Sequence, residues 1–196
     1  MGTILLPDFG AAFRAVDRVA QLLKKVTTAL DRAKVPYAVI GGNAVAAWVA
    51  SIDPEAIRAT KDVDILTRRE NLPAMSEALR KIGYDMVEVL GVTRFVNRRR
   101  PSPKSGVHIV VANEKVRSHY MHPAPDVTSA VKSKSGYVVI DLPNLVAMKL
   151  QSFRPVDQTH IIDMLGVNLI QDDLVASLPP DLQERFHQVR RIAENS

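Results

Sequence analysis

The sequence predicts an α+β protein, with a small mixed β-sheet flanked by helices, a long N-terminal helix and a helical C-terminal part. Apolar residues recur at helical spacing near the N-terminus and again through the last quarter of the 196 residues. Between these regions lie short apolar or alternating runs bounded by glycine and proline, which are typical of strands. The change of pattern divides a core with the N-terminal helix, residues 1–141, from a helical subdomain, residues 142–196.

The helices follow from apolar periodicity and from residues that begin or end a helix. An amphipathic helix is expected over residues 9–33, and a shorter one over residues 43–50 with Asn43 as its N-cap. Gly83 should end a third helix, residues 71–82. The C-terminal helices are expected over residues 142–153, 156–166, 172–177 and 180–194.

The strand candidates lie between these helices. They cover residues 37–40, 62–65, 84–90, 92–97, 107–111 and 137–140. Gly91 separates two of these runs and predicts a hairpin. Residues 113–135 contain Pro123 and Pro125, so we expect this segment to pack irregularly.

Composition excludes several classes of function. The chain has no cysteine, which excludes disulfides, thiolate metal sites and cysteine nucleophiles. No apolar run reaches the roughly 18 residues of a membrane span, and Pro7 and Asp8 interrupt any signal-like segment. We therefore expect a soluble, cytoplasmic protein with no membrane partner.

The net charge of +5 is concentrated in one stretch of the chain. Between residues 94 and 134, nine basic residues outnumber two acidic ones, so this stretch carries +7 and the remainder −2. A localised positive field suits a nucleotide or RNA, and a solvated basic surface without a partner is the alternative. Arg98–Arg100 suggest a guide for RNA or a triphosphate, but no aromatic residues interleave with them as a base-stacking platform would require.

Two motifs carry the candidate chemistry. Gly41 and Gly42 end one strand and open a helix, where glycine lets the backbone approach a phosphate and free N–H groups favour negative charge. Asp62 and Asp64 are two apart on a strand and therefore share a face. Carboxylates held side by side repel each other unless a divalent cation bridges them, and such a cation can orient a triphosphate. Each motif alone is typical of a plain turn or a solvated edge, but their order along the chain is more specific.

This order resembles the nucleotidyltransferase superfamily with the polymerase-beta-like fold, in particular the compact bacterial branch of the AbiEii-type toxins. The matching segments are residues 38–46, residues 59–65 and residues 145–150, the last followed by Arg154, Asp157 and Asp163. The resemblance implies a nucleoside triphosphate substrate, two Mg²⁺ ions with Mn²⁺ as the alternative, and transfer of a nucleoside monophosphate to an acceptor. In toxin-like members that acceptor is tRNA or a protein hydroxyl.

The resemblance also assigns roles to individual residues. Asp62 and Asp64 would hold the metals and form the catalytic pair. Gly41, Gly42 and Asn43 would bind the phosphates, and Lys149 would assist as a point charge. For Lys149 the alternative is a surface lysine with a buried stem. Ion pairing is the expected role of Arg154 and Asp157, although the spacing of His160 and Asp163 on the same helix is also that of metal ligands.

One position departs from the pattern of the family, which places a third acid on a later strand. The candidate strand, residues 107–111, carries His108 and Val110 on one face instead. His108 is the candidate replacement, although imidazole suits zinc or manganese better than magnesium, and a structural hydrogen-bonding role is the alternative. The missing acid leaves open a catalytically degenerate domain that binds a nucleotide or a partner. A third hypothesis is an interaction module that dimerises through the N-terminal helix; monomer and homodimer both remain open.

Overall fold

A computed structural model describes residues 9–89, 91–99, 101 and 106–195 of the chain. Leu90, Arg100 and Lys104, which belong to segments singled out above, lie outside the described residues. Within the described part, no helix combines the length and the apolar character needed to cross a membrane.

Seven strands in the described part of the chain form one mixed sheet. They are β1 (Ala38–Ile40), β2 (Val63–Thr67), β3 (Tyr84–Val89), β4 (Val92–Asn97), β5 (Val107–Val111), β6 (Ala130–Lys132) and β7 (Val138–Ile140). Their order across the sheet is β3-β4-β5-β2-β1-β7-β6. The pairs β2–β5 and β1–β7 are parallel and the other neighbours are antiparallel.

Seven α-helices accompany the sheet among the described residues, and they confirm the predicted α+β class. They are α1 (Phe9–Arg32), α2 (Gly41–Ala50), α3 (Leu72–Lys81), α4 (Leu142–Ser152), α5 (Pro155–Gly166), α6 (Asp172–Ser177) and α7 (Pro180–Glu194). Proline stands in the first turn of α3, α4, α5 and α7, where its missing N–H costs nothing.

Two elements differ from the expectation. Helix α2 begins at Gly41 rather than at Asn43, and Ile40 is its N-cap, so Asn43 lies inside the first turn and does not cap the helix. Strand β6 forms within the segment that was expected to be irregular, and it pairs with β7 at the edge of the sheet. A strand of three residues with two of them exposed has too few buried positions to give a pattern in sequence.

The core lies between the sheet and the helices. All three residues of β1 are buried, and α1 contributes Leu23, Val26 and Leu30 from one face. The C-terminal helices pack on one another and on α2. Between α2 and the sheet, the Trp48 indole N–H donates to the Ile140 carbonyl at 3.0 Å. Helix α2 therefore lies between the sheet and the C-terminal helices.

A sharp corner joins α4 to α5. Phe153 ends α4 in the left-handed region with a φ of 53°, and Pro155 opens α5 two residues later. Left-handed φ is uncommon for a residue with a side chain, so the surrounding packing must hold this corner in place. The corner folds α5 back against α4, so that side chains eight residues apart meet.

Candidate active site

Gly41 brings the first turn of α2 against the carboxylate of Asp64. The β1–β2 register pairs Ile40 with Asp64, so the next residue turns into the helix beside that carboxylate. The φ of Gly41 is +69°, and a Cβ at this position would overlap the Asp64 side chain. Glycine is therefore required twice, for its conformation and for the close approach. A negative charge at a helix N-terminus is favourable, so the location suits the carboxylate.

Asn43 positions the backbone at Asp62. The buried Asn43 amide donates from Nδ2 to the Asp62 carbonyl at 2.7 Å. One of the Asn43 donors is thus committed to the protein, which holds the start of β2 against α2. The Asp62 carboxylate itself has no hydrogen-bond or ion-pair partner among the described residues.

The space beside Gly42 is taken by Thr60. A Cβ on Gly42 would lie 2.6 Å from the Thr60 hydroxyl and 3.7 Å from Cε1 of His160. Because Gly42 has no side chain, the loop that precedes β2 can pack against it. Only the backbone N–H of Gly42 could then contact a phosphate. The sequence motif indicated phosphate approach at both glycines alike, whereas the two have different neighbours.

His108 lies beside Asp64. The parallel β2–β5 register pairs these two residues, and Nδ1 of His108 is 3.2 Å from Oδ1 of Asp64. Both side chains are about a quarter exposed, at 25% and 26%. The other nitrogen, Nε2, is buried and has no hydrogen-bond partner in the described structure. Of the two residues expected on this face of β5, His108 is the one next to the acidic pair, since Val110 is paired with Leu66.

The donor chemistry at this edge fits a divalent ion in part. Asp62 offers a carboxylate without a partner among the described residues, and Gly41 leaves room for the carboxylate of Asp64. In the described part of the chain, no group of three or more histidine and acidic side chains is arranged to hold a metal ion by itself. An ion here would therefore complete its coordination with phosphate and water, as Mg²⁺ commonly does.

Lys149 and Asp157 form a buried ion pair across the α4–α5 corner. Nζ of Lys149 is 3.0 Å from Oδ1 of Asp157, and their side chains are 7% and 1% exposed. Nε of Arg154 is 2.7 Å from Oδ2 of the same carboxylate. Burial alone would raise the pKa of Asp157, but the hydrogen bonds and charges of Arg154 and Lys149 outweigh it and hold the pKa below its usual value. Lys149 is therefore not a surface lysine, and the group carries two cations for one anion.

His160 packs against the glycine turn, a contact that the sequence did not indicate. It follows Asp157 by one turn of α5, it is buried, and Nδ1 has no hydrogen-bond partner among the described residues. Burial, reinforced by the charge of Lys149, lowers the pKa of His160 to about 4, so the ring is neutral at neutral pH. The metal-ligand spacing of His160 and Asp163 has another explanation, because both Asp163 oxygens accept from Arg58 at 2.8 and 2.9 Å.

The basic stretch is partly neutralised by its neighbours in space. Its two acids pair with arginines that lie outside it, Arg68 with Asp126 and Arg69 with Glu114. Arg98 pairs with Asp85 on the adjacent strand at 2.7 Å. Of the expected arginine guide, Arg98 is thus in an ion pair and Arg100 lies outside the described residues.

Residues 22–130, more than half of the chain, match the family model described as aminoglycoside-2''-adenylyltransferase. The chain belongs to this family. The match spans the glycine turn, the acidic strand and His108, and it bears out the expected nucleotidyltransferase superfamily. A search of curated proteins gave no match for this member of the aminoglycoside-2''-adenylyltransferase family.

Solved structures share the fold of this family member at low sequence identity. An antigenic nucleotidyltransferase-like protein from Paracoccidioides brasiliensis has a TM-score of 0.60 and 15% identity, over 91% of this chain and 90% of its own. The solution structure of the antibiotic-resistance factor ANT(2'')-Ia has a TM-score of 0.55 and 14% identity, over 92% and 97%. A crystal structure of ANT(2'')-Ia in complex with adenylyl-2''-tobramycin has a TM-score of 0.50 and 16% identity, over 89% and 96%. The nucleotidyltransferase fold therefore extends over nearly the whole chain.

Proposed function

We propose that the protein binds a nucleoside triphosphate with a divalent ion, Mg²⁺ or Mn²⁺, and transfers the nucleoside monophosphate to an acceptor hydroxyl. The observation that supports this most is the contact between Gly41 and Asp64, because it puts a carboxylate at the N-terminus of α2 with no side chain between them. A triphosphate at that terminus would meet backbone donors, and an ion on the carboxylates would neutralise its charge.

The residues divide into ion-holding and phosphate-holding groups. Asp62 and Asp64 would bind the ion, and His108 would take the place of the third acid. The ion, when bound, supplies charge neutralisation at the reacting phosphorus. The N–H groups of Gly41, Gly42 and Asn43 would face the phosphates at the first turn of α2.

Lys149 would assist from α4. The Asp157 carboxylate contacts both Lys149 and Arg154 and so holds the two cations close together. After Asp157, whose hydrogen bond dominates, the charge of Asp64 is among the interactions that raise the pKa of Arg154. Arg154 therefore lies within electrostatic range of Asp64. The excess cation of this group would be compensated by the phosphates.

ATP is the first donor to test, because the family is named for adenylyl transfer. For the acceptor, the net charge of +5 favours a polyanion such as tRNA, as in the AbiEii-like branch, over a polycationic aminoglycoside. An aminoglycoside remains the acceptor that the family description names, and a protein hydroxyl is the third option. Each of the three enters the test below as a separate acceptor.

A catalytically degenerate domain is the second candidate function, and His108 favours it. An imidazole beside Asp64 in place of an acid leaves two carboxylates at the site where the superfamily has three. Such a protein would bind nucleotide and ion without turnover.

Label transfer from α-³²P nucleotides tests the proposal. With Mg²⁺ or Mn²⁺ and tRNA, tobramycin or a protein extract as acceptor, we expect labelled product from the parent protein. Asp64→Asn should abolish it, because one of the two ion-holding carboxylates is lost. The control is Asp173→Asn, an acid on α6 far along the chain from the site, which should retain full activity.

Three outcomes separate the candidates. Labelled product that survives Asp64→Asn would contradict the assigned site. Nucleotide binding by calorimetry without any labelled product would support the degenerate domain. The absence of nucleotide binding with either ion would contradict both and favour an interaction module.

The division of the chain at residue 141 is also a proposal. Contacts across this division include Arg58 with Asp163 on α5 and His122 with Asp181 on α7. The Lys149 group, from the helical part, would then approach a nucleotide held by the core.

A further inference from the structure

We propose that His108 makes this centre prefer a divalent transition ion, with Mn²⁺ as the probe, over Mg²⁺ when nucleotide is bound. The inference rests on the proposed function, since it concerns the ion that accompanies the nucleotide. It concerns the choice of metal rather than the presence of one, and one side chain determines it.

His108 on β5 lies next to Asp64 on β2. The β2–β5 register fixes its Cα beside that of Asp64, and both side chains are exposed to the same extent. The Nδ1 atom faces Oδ1 of Asp64 at 3.2 Å. Nδ1 is therefore the ring nitrogen at the acidic pair, and Nε2 is the buried one.

The distance between Nδ1 of His108 and Oδ1 of Asp64 is close to that between two ligands of one ion. Two neighbouring ligands of a six-coordinate ion, each about 2.1 Å from it, lie about 3 Å from each other. The observed separation of 3.2 Å suits both a hydrogen bond and two ligands of one ion. An ion could replace the shared proton with little movement of either strand.

Among the described residues, the His108 ring has a polar partner at one nitrogen only. Ligating histidines normally have their second nitrogen hydrogen-bonded, which fixes the tautomer. Nε2 of His108 has no such partner among the described residues, so only Asp64 determines which nitrogen carries the proton. The described residues offer no group of three or more ligating side chains, so we expect the ion to bind weakly until the nucleotide supplies further ligands.

Oxygen and imidazole ligands favour different divalent ions. Mg²⁺ prefers oxygen ligands throughout, whereas imidazole suits first-row transition ions. With Asp64 and His108 as the neighbouring protein ligands, the imidazole supplies no negative charge where a carboxylate would supply one. The imidazole nitrogen lowers the affinity for Mg²⁺ relative to that for Mn²⁺, whereas the smaller negative charge weakens both ions alike.

The experiment measures ion binding directly. The protein is mixed with a non-hydrolysable ATP analogue, and bound Mn²⁺ is counted by electron paramagnetic resonance while Mg²⁺ competes. We expect Mn²⁺ to bind on the order of tenfold more tightly than Mg²⁺. Electron spin echo envelope modulation should show a nitrogen coupled to the Mn²⁺.

Two variants assign the effect to the imidazole. His108→Asp should remove the nitrogen coupling and bring the two affinities together, and His108→Asn should remove the coupling and weaken both ions. The control is His187→Asp, an exposed histidine on α7, which should leave coupling and preference unchanged. Thermal melting of each variant shows that it is folded.

The outcomes separate this inference from the proposed function. Analogue binding with equal affinity for both ions, or a parent protein without nitrogen coupling, overturns the preference and leaves the nucleotide site intact. Failure of the analogue to bind with either ion overturns both. A nitrogen coupling that persists in His108→Asp assigns the ligand to another residue and overturns the role of His108.

Discussion

At the residue scale, the two adjacent glycines of the turn illustrate how one motif can serve two purposes. Gly41 adopts a left-handed φ and makes room for the carboxylate of Asp64, whereas Gly42 makes room for Thr60. The first relation concerns the ligand site and the second concerns packing. A substitution at Gly41 therefore tests the site more directly than one at Gly42.

Gly41→Ala should impair both stability and nucleotide binding. The left-handed backbone costs an L-residue about 1–2 kcal/mol, and the new methyl group would displace the Asp64 carboxylate. The matched control is Gly83→Ala, where φ is +88° but a Cβ would meet nothing within 4 Å. We expect both variants to lose stability in urea unfolding and only Gly41→Ala to lose binding of the ATP analogue. Equal binding by the two variants would show that the Asp64 position does not depend on Gly41.

At the scale of elements, the corner between α4 and α5 brings the buried charges together. Lys149 on α4 and Asp157 on α5 meet because Phe153 reverses the chain between them. The corner thus lets two helices with little amphipathic character hold Lys149, Arg154 and Asp157 together. Its stability depends on the balance between these charges.

Asp157→Asn should destabilise the protein by about 3 kcal/mol, because it leaves the ammonium of Lys149 buried without a counter-ion. Lys149→Met should cost less, since Arg154 still pairs with Asp157. Urea unfolding measures both changes. Glu77→Gln, which removes an exposed ion pair with Lys81 on α3, should change stability by less than about 0.5 kcal/mol. A loss of similar size in Asp157→Asn and Glu77→Gln would contradict a buried role for the pair.

The same corner shows what could be predicted from the sequence. The periodicity of each helix is local, so α4 and α5 were predicted within one or two residues, and the i,i+3 pairing of Arg154 with Asp157 was expected. The partner of Lys149 depends on the angle between the helices, which Phe153 sets and no periodicity records. Gly41 and Asp64 were identified because their motifs are local in sequence. The contact of His160 with the glycine turn was not predicted, because it depends on how α5 packs against α2. Strand β6 was missed because its formation depends on pairing with β7.

At the scale of the whole molecule, falling pH should lower the stability of the protein in two stages with different causes. The pKa of His160 is about 4 in the folded protein and about 6.5 when unfolded, so the folded state binds fewer protons between these values. Stability should therefore be full above pH 6.5 and fall, by on the order of 3 kcal/mol, as the pH decreases to 4. The lowered pKa of Asp157 acts further down, because its contribution is lost only as the pH falls below about 4.

Urea unfolding between pH 7 and pH 4 measures the first stage. His160→Gln should flatten the dependence on pH in this interval, since the variant has no group there that must stay neutral. His187→Gln, which replaces an exposed histidine on α7, should keep the slope of the parent protein. Parallel curves for His160→Gln and the parent would contradict the burial of a neutral His160.

The position of β2 in the sheet has a consequence for motion. As the fourth of seven strands, β2 is hydrogen-bonded to β1 on one side and β5 on the other. Central strands open only when the whole domain unfolds, whereas edge strands and surface helices fluctuate locally. The backbone that carries Asp64 and the backbone that carries His108 thus belong to the least deformable part of the protein. A closure that involved the C-terminal helices would therefore move Lys149 and Arg154 towards carboxylates that keep their positions.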